Sequence, residues 1–209
     1  MNGQDDLNTI RSLIERREIY RKVFARVALF TGALSILAAS AIYWNDEVRQ
    51  FLGRPIRPRE FAFVWLVIFA LTTAATGLFA ARNRDSGDHL GMARTQMVLN
   101  AVAPYVLIAA AFTVWFLGTG YLGAAELELV IVWIACYGLM LHAIGLLASR
   151  SIAILGWAFL LTGVAAPILS NKIDNWTDNV SVTLMGVTFG LYHIIFAALN
   201  RRANQPKRS

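Results

Sequence analysis

The chain has 209 residues, of which 57% are hydrophobic and only 15% charged, with a net charge of +6. A soluble domain averages about 25% charged residues, so this composition argues against a water-facing globule. The surplus of cations sits beside apolar stretches, which points to anionic lipid headgroups as the partner and away from nucleic acid.

The first element to read is the N-terminal segment. Leu7, Ile10, Leu13, Ile14, Arg17, Tyr20, Val23 and Phe24 recur at helical spacing. Residues 7–22 are therefore expected either as an amphipathic helix on the inner leaflet or as the cytoplasmic extension of the first span. Arg16, Arg17, Arg21, Lys22 and Arg26 are the expected headgroup contacts. The apolar run Val27 to Trp44 follows without a break. It is too long for a signal-peptide core and lacks a small-residue cleavage site, so it reads as a retained helix.

Five more apolar stretches follow, at about Phe61–Ala81, Met97–Leu117, Leu127–Ala148, Ile152–Leu169 and Val180–Leu199. Each approaches the ~20 residues that a helix needs to cross a hydrocarbon core. Lipid leaves the backbone groups of open strands unsatisfied, so helices are the form these spans must take. The expected fold is all-α, a six-transmembrane-helix bundle with short loops and an N-terminal amphipathic helix. Its expected parts are a basic cytoplasmic segment (1–22), the membrane domain (23–199) and a basic cytoplasmic tail (200–209).

Charge assigns the sides. With the N-terminus inside, the cytoplasmic segments hold 14 of the 19 Lys and Arg residues, and the outer segments hold five. That bias favours both ends in the cytoplasm of a bacterial inner membrane. The first outer loop dissents, with Arg49, Arg54, Arg57 and Arg59, although Asp46, Glu47 and Glu60 offset three of them. Tyr43, Trp44, Trp115, Tyr121 and Trp176 fall near the expected outer interface, where amphipathic rings prefer to sit.

Candidate chemistry is sparse. His142 in span 4 and His193 in span 6 lie at similar depth, about two turns from the inner end. Ionisable residues inside a membrane default to a functional hypothesis. With Asn100, beside Pro104 in span 3, they would line a polar cavity on the inner half. The ordinary reading of each histidine is a neutral group making one interhelical hydrogen bond. Pro104 frees the carbonyl of Asn100, so a polar kink is the alternative to an ordinary tolerated proline. No cofactor is expected; a haem held by the two imidazoles is the remote alternative. No metal site is expected, because neither a carboxylate nor a thiol stands at matching depth. Glu126 and Glu128 suit the start of span 4, at the positive end of its dipole.

Gly186 and Gly190 form a GxxxG, which lets another helix come close; the partner is a helix of this chain, another membrane protein or a second copy. The inner ends GLFAARNR (Gly77 to Arg84), GLLASRS (Gly145 to Ser151) and IFAALNRR (Ile195 to Arg202) hint at three repeated hairpins, or simply at three stop signals of small residues and arginine. Signatures of P-loops, zinc proteases and serine hydrolases are missing.

Three stretches carry a resemblance. LNTIRSLIERR, AARNRDSGDHLGMARTQMVLNAVAPY and GLYHIIFAAL are similar to the opening, the basic loop with its following span, and the last helix of a group of bacterial six-span membrane proteins of unknown function. The resemblance implies the fold and topology and no activity. The expected role is a non-enzymatic structural, interaction or regulatory membrane component. The alternative is a small transporter or a ligand- or proton-binding bundle using His142 and His193.

Overall fold

The computed structural model describes residues 24–45, 58–82, 89–119, 125–170 and 180–202. All of them are helical except Ala148 and Ser149. The elements are α1 (Phe24–Asn45), α2 (Pro58–Arg82), α3 (His89–Thr119), α4 (Ala125–Leu147), α5 (Arg150–Ser170), α6 (Val180–Met185), a π-helical segment (Gly186–Tyr192) and α7 (His193–Arg202). The last three run on as one rod and form the sixth span. All six spans are long and apolar enough to cross a membrane, with mean hydropathy from 1.8 to 2.2. The chain is a multi-pass membrane protein.

Its outward surface fits that reading. Leu37, Leu78, Leu107, Leu146, Leu161 and Leu199 are all more than half exposed. In water such a surface would be a liability; in lipid it has no cost, because acyl chains are as apolar as leucine. The headgroup contacts Arg16, Arg17, Arg21 and Lys22, like the whole 1–22 segment, lie outside the described residues, and Arg26 is exposed near the start of α1.

Helices in lipid gain little from hiding apolar surface from one another, so close backbone packing and hydrogen bonds must hold them. The α4–α5 pair is the tightest. Only Ala148 and Ser149 separate the two helices, and the Ser149 carbonyl accepts the first bonds of α5 from Ile152 (3.1 Å) and Ala153 (3.3 Å). So short a turn forces the helices antiparallel and adjacent. Gly138, Gly145 and Gly156 make the contact. A Cβ on Gly145 would strike the Ala153 backbone, and one on Gly156 would stand 2.6 Å from the His142 nitrogen. One on Gly138 would stand 2.9 Å from the Leu160 nitrogen.

A second glycine seam joins α1 to the sixth span. A Cβ on Gly32 would meet the Gly190 carbonyl oxygen at 2.8 Å, and one on Gly190 would meet Ile36 at 2.6 Å. Gly186 faces Ala39. The GxxxG therefore lies against a helix of its own chain.

Hydrogen bonds pin the remaining faces. Thr113 on α3 donates to the Ala109 carbonyl at 2.7 Å, so its oxygen accepts from Trp133 Nε1 of α4 at 2.9 Å. Thr162 on α5 donates to Ala158 and accepts the Tyr192 hydroxyl at 2.9 Å. The core itself is aromatic: Phe69, Tyr137 and Phe159 surround Phe189 at centroid distances of 5.0, 4.9 and 5.2 Å.

Two expectations are refined here. Pro104 and Pro167 both sit inside continuous helices, and Asn100 and Pro104 are exposed on α3, so the freed carbonyl lines no internal cavity. The repeat does not extend to packing. Gly145 is pressed on Ala153, whereas among the described residues nothing approaches the place of a Cβ on its counterpart Gly77 within 4 Å.

Candidate functional site

His193 is a buried histidine of the described core and the first residue after the π segment. The wide turn before it has both local and tertiary causes. Gly186 and Gly190 are poor helix formers. Thr188, wholly buried, turns its hydroxyl back to the Leu184 carbonyl at 2.7 Å and competes with the backbone there. The close approach of α1 at Gly190 adds a tertiary constraint. Turns of this kind recur at functional sites.

His193 is 3% exposed. Its Nε2 lies 2.8 Å from the Tyr137 hydroxyl of α4. Its ring stacks on Phe189, at 6.4 Å between centroids and 14° between planes, and meets Phe159 edge-on at 5.6 Å. Nδ1 is buried and has no hydrogen-bond partner among the described residues. The imidazole tautomer decides which of Nε2 and the Tyr137 hydroxyl donates. The site is an imidazole paired with a phenol and walled by aromatic rings.

The three residues expected to share one cavity occupy three settings. His193 is inside the bundle. His142 is half-buried on the flank of the α4–α5 pair, edge-on to the half-exposed Trp157 at 5.3 Å. Asn100 is exposed on α3. Helix geometry explains the split of the histidines. His142 follows Tyr137 by five residues on α4, which turns its side chain about 140° away from the direction of His193. Equal depth does not bring two residues onto one face.

Tyr137 is a partner that the pattern of histidines and carboxylates alone does not point to. A signal was present. A tyrosine hydroxyl inside a membrane needs a partner, and Tyr137 lies ten residues before the end of α4 while His193 lies nine before the end of α7. Matching polar residues by depth from the inner ends would have paired them.

Among the described residues, no three of His, Cys, Asp or Glu gather in a way that could hold a metal. Cys136 is buried and free. A shallow, open depression of about 450 Å³ lies between the end of α1 and the start of α2, with Ile42, Asn45, Arg59, Glu60 and Phe61 on its walls. It is far along the chain's helices from His193 and touches none of the three expected site residues. Comparison of the chain with protein families, with curated proteins and with solved structures finds no match.

Proposed function

We propose that this chain is a non-enzymatic component of a bacterial inner membrane, with both termini in the cytoplasm, and that it acts through contact between helices. The supporting observation is the setting of α3. Only 6% of its apolar stretch is buried within the chain, against 44% for that of α4. An edge helix is normal in a bundle, but this one also turns Asn100 outward. A side-chain amide facing hydrocarbon gains when a neighbouring helix offers it a hydrogen bond. The candidate partners are another membrane protein or a second copy, with the basic inner face on anionic headgroups.

Cysteine cross-linking in native membranes tests this, on a background in which Cys136 is replaced by serine. Cysteines at Leu99, Ala103 and Val106 on α3 should give a cross-linked species of defined mass. Cysteines at the equally exposed Ile154 and Leu161 on α5 should give much less. Equal or absent cross-linking on the two helices would remove the interaction reading.

The second reading is a proton- or ligand-binding bundle. It now rests on His193 with Tyr137, because that pair adjoins the π segment while His142 and Asn100 stand elsewhere. Under this reading, replacing His193 by phenylalanine abolishes the activity, whereas replacing His142 by phenylalanine spares it. Neither reading requires a cofactor, and purified protein without a Soret absorption would retire the haem alternative.

A further inference from the structure

Three buried polar atoms beside the π segment have no hydrogen-bond partner among the described residues: Ser35 Oγ on α1, Trp65 Nε1 on α2 and His193 Nδ1. Ser35 and Trp65 are 0% exposed. They approach the same turn from different helices. Ser35 lies between Gly32 and Ile36, which both meet Gly190, and one turn before Ala39, which meets Gly186. The Trp65 ring is 6.3 Å from Phe189, and Phe189 stacks on His193. A fourth such atom, His142 Nδ1, belongs to the α4–α5 flank beside Trp157 and stands apart.

Buried polar groups are almost always satisfied, and those that are not satisfied by protein are satisfied by internal water. Lipid chains offer these atoms nothing. The indole N–H can only donate, whereas the serine hydroxyl both donates and accepts. A species that accepts from Trp65 and exchanges a hydrogen bond with Ser35 must be small and must have both a lone pair and a proton. Water has both, and it can bond further to carbonyls of the wide turn.

We propose that the π segment holds a buried water site, built from Trp65 Nε1 and Ser35 Oγ, on the α1–α2 side of the His193–Tyr137 pair. The site makes this turn a hydrated point in an otherwise dry aromatic core. It is independent of the α3 contact, so neither stands or falls with the other.

Indole-¹⁵N-labelled protein in bilayers of deuterated lipid, observed by water-edited solid-state NMR, tests the site. The Trp65 Nε1–H should receive magnetisation from water despite its burial, and Ser35→Ala should reduce that transfer several-fold. The Trp133 indole, bonded to Thr113, should stay unchanged and so report an intact fold. Trp65→Phe assigns the signal. If that variant does not fold, single Trp→Phe changes at the other five tryptophans assign it by elimination. A Trp65 indole that receives no water magnetisation, or one that Ser35→Ala leaves unaltered, overturns the proposal.

Discussion

Glycine at this protein's helix contacts is a matter of what its missing Cβ would strike. At Gly145 the obstacle is the backbone of Ala153, which has no rotamer to change. Overpacking of this kind costs about 1–3 kcal/mol. Gly145→Ala should therefore lower the unfolding midpoint in mild detergent clearly, and Gly156→Ala should do the same against His142. Gly77→Ala meets nothing and should be neutral or slightly stabilising, by up to ~1 kcal/mol, through helix propensity. Equal effects at Gly77 and Gly145 would mean that α4 and α5 are not in backbone contact. At His193 the quantity is one interhelical hydrogen bond. Such bonds average about 0.6 kcal/mol in membranes, with a ceiling near ~1.7 kcal/mol. Tyr137→Phe keeps the ring among Phe159 and Phe189 and removes only the hydroxyl, so its loss in reversible unfolding should fall within that range.

At the scale of helices, the α1 seam differs from the α4–α5 seam in one testable respect. A Cβ on Gly190 strikes the side chain of Ile36, not a backbone atom, at its nearest point. Gly190→Ala should destabilise, and Ile36→Ala should relieve part of that loss by clearing the space. A double-mutant cycle on the two should give a coupling of at least ~0.5 kcal/mol, as for residues in contact. Additive effects would separate α1 from the sixth span. The same elements mark what could be read in the chain beforehand. Six spans were legible to within a few residues at most ends, because bilayer thickness imposes length and apolarity on each. Span 3 was the exception, beginning at His89 in what reads as a polar connector. The glycine seam at Gly186 and Gly190 was legible from spacing four apart. That between α4 and α5, where Gly138 meets Gly156, Gly145 meets Ala153 and Gly163 meets Ala135, was written as plainly in two glycine pairs seven apart, two helical turns, and was not legible from spacing four apart. The π segment has no such local code. Thr188, two glycines and the pressure of α1 combine to make it, and only one of these contributions comes from outside the sixth span.

For the molecule in its membrane, the remaining quantity is which way it stands. Fourteen of 19 cationic side chains fall on one side in the proposed orientation, against five on the other, four of these in the first outer loop. Orientation follows Lys and Arg near the ends of spans rather than net charge, so the acidic neighbours in that loop do not cancel its arginines. They compete with the N-terminal cluster across the same first helix. The six cations of residues 1–26 outnumber these four, and the interior and C-terminal segments add to the same side. Alkaline phosphatase fusions measure the outcome, because the enzyme is active only when exported. Fusions within 46–57, 120–124 and 171–179 should be active, and those within 83–88 or after Arg202 inactive. Replacing Arg16, Arg17, Arg21 and Lys22 together by glutamine leaves two cations against four around the first helix, so this variant should show a measurable inverted fraction. An active fusion after Arg202 in the unaltered chain would instead put the tail outside. The surface exposed by α3 would be unchanged, but Asn100 would then face partners in the outer half of the membrane, and the basic face would lose its contact with the cytoplasmic leaflet.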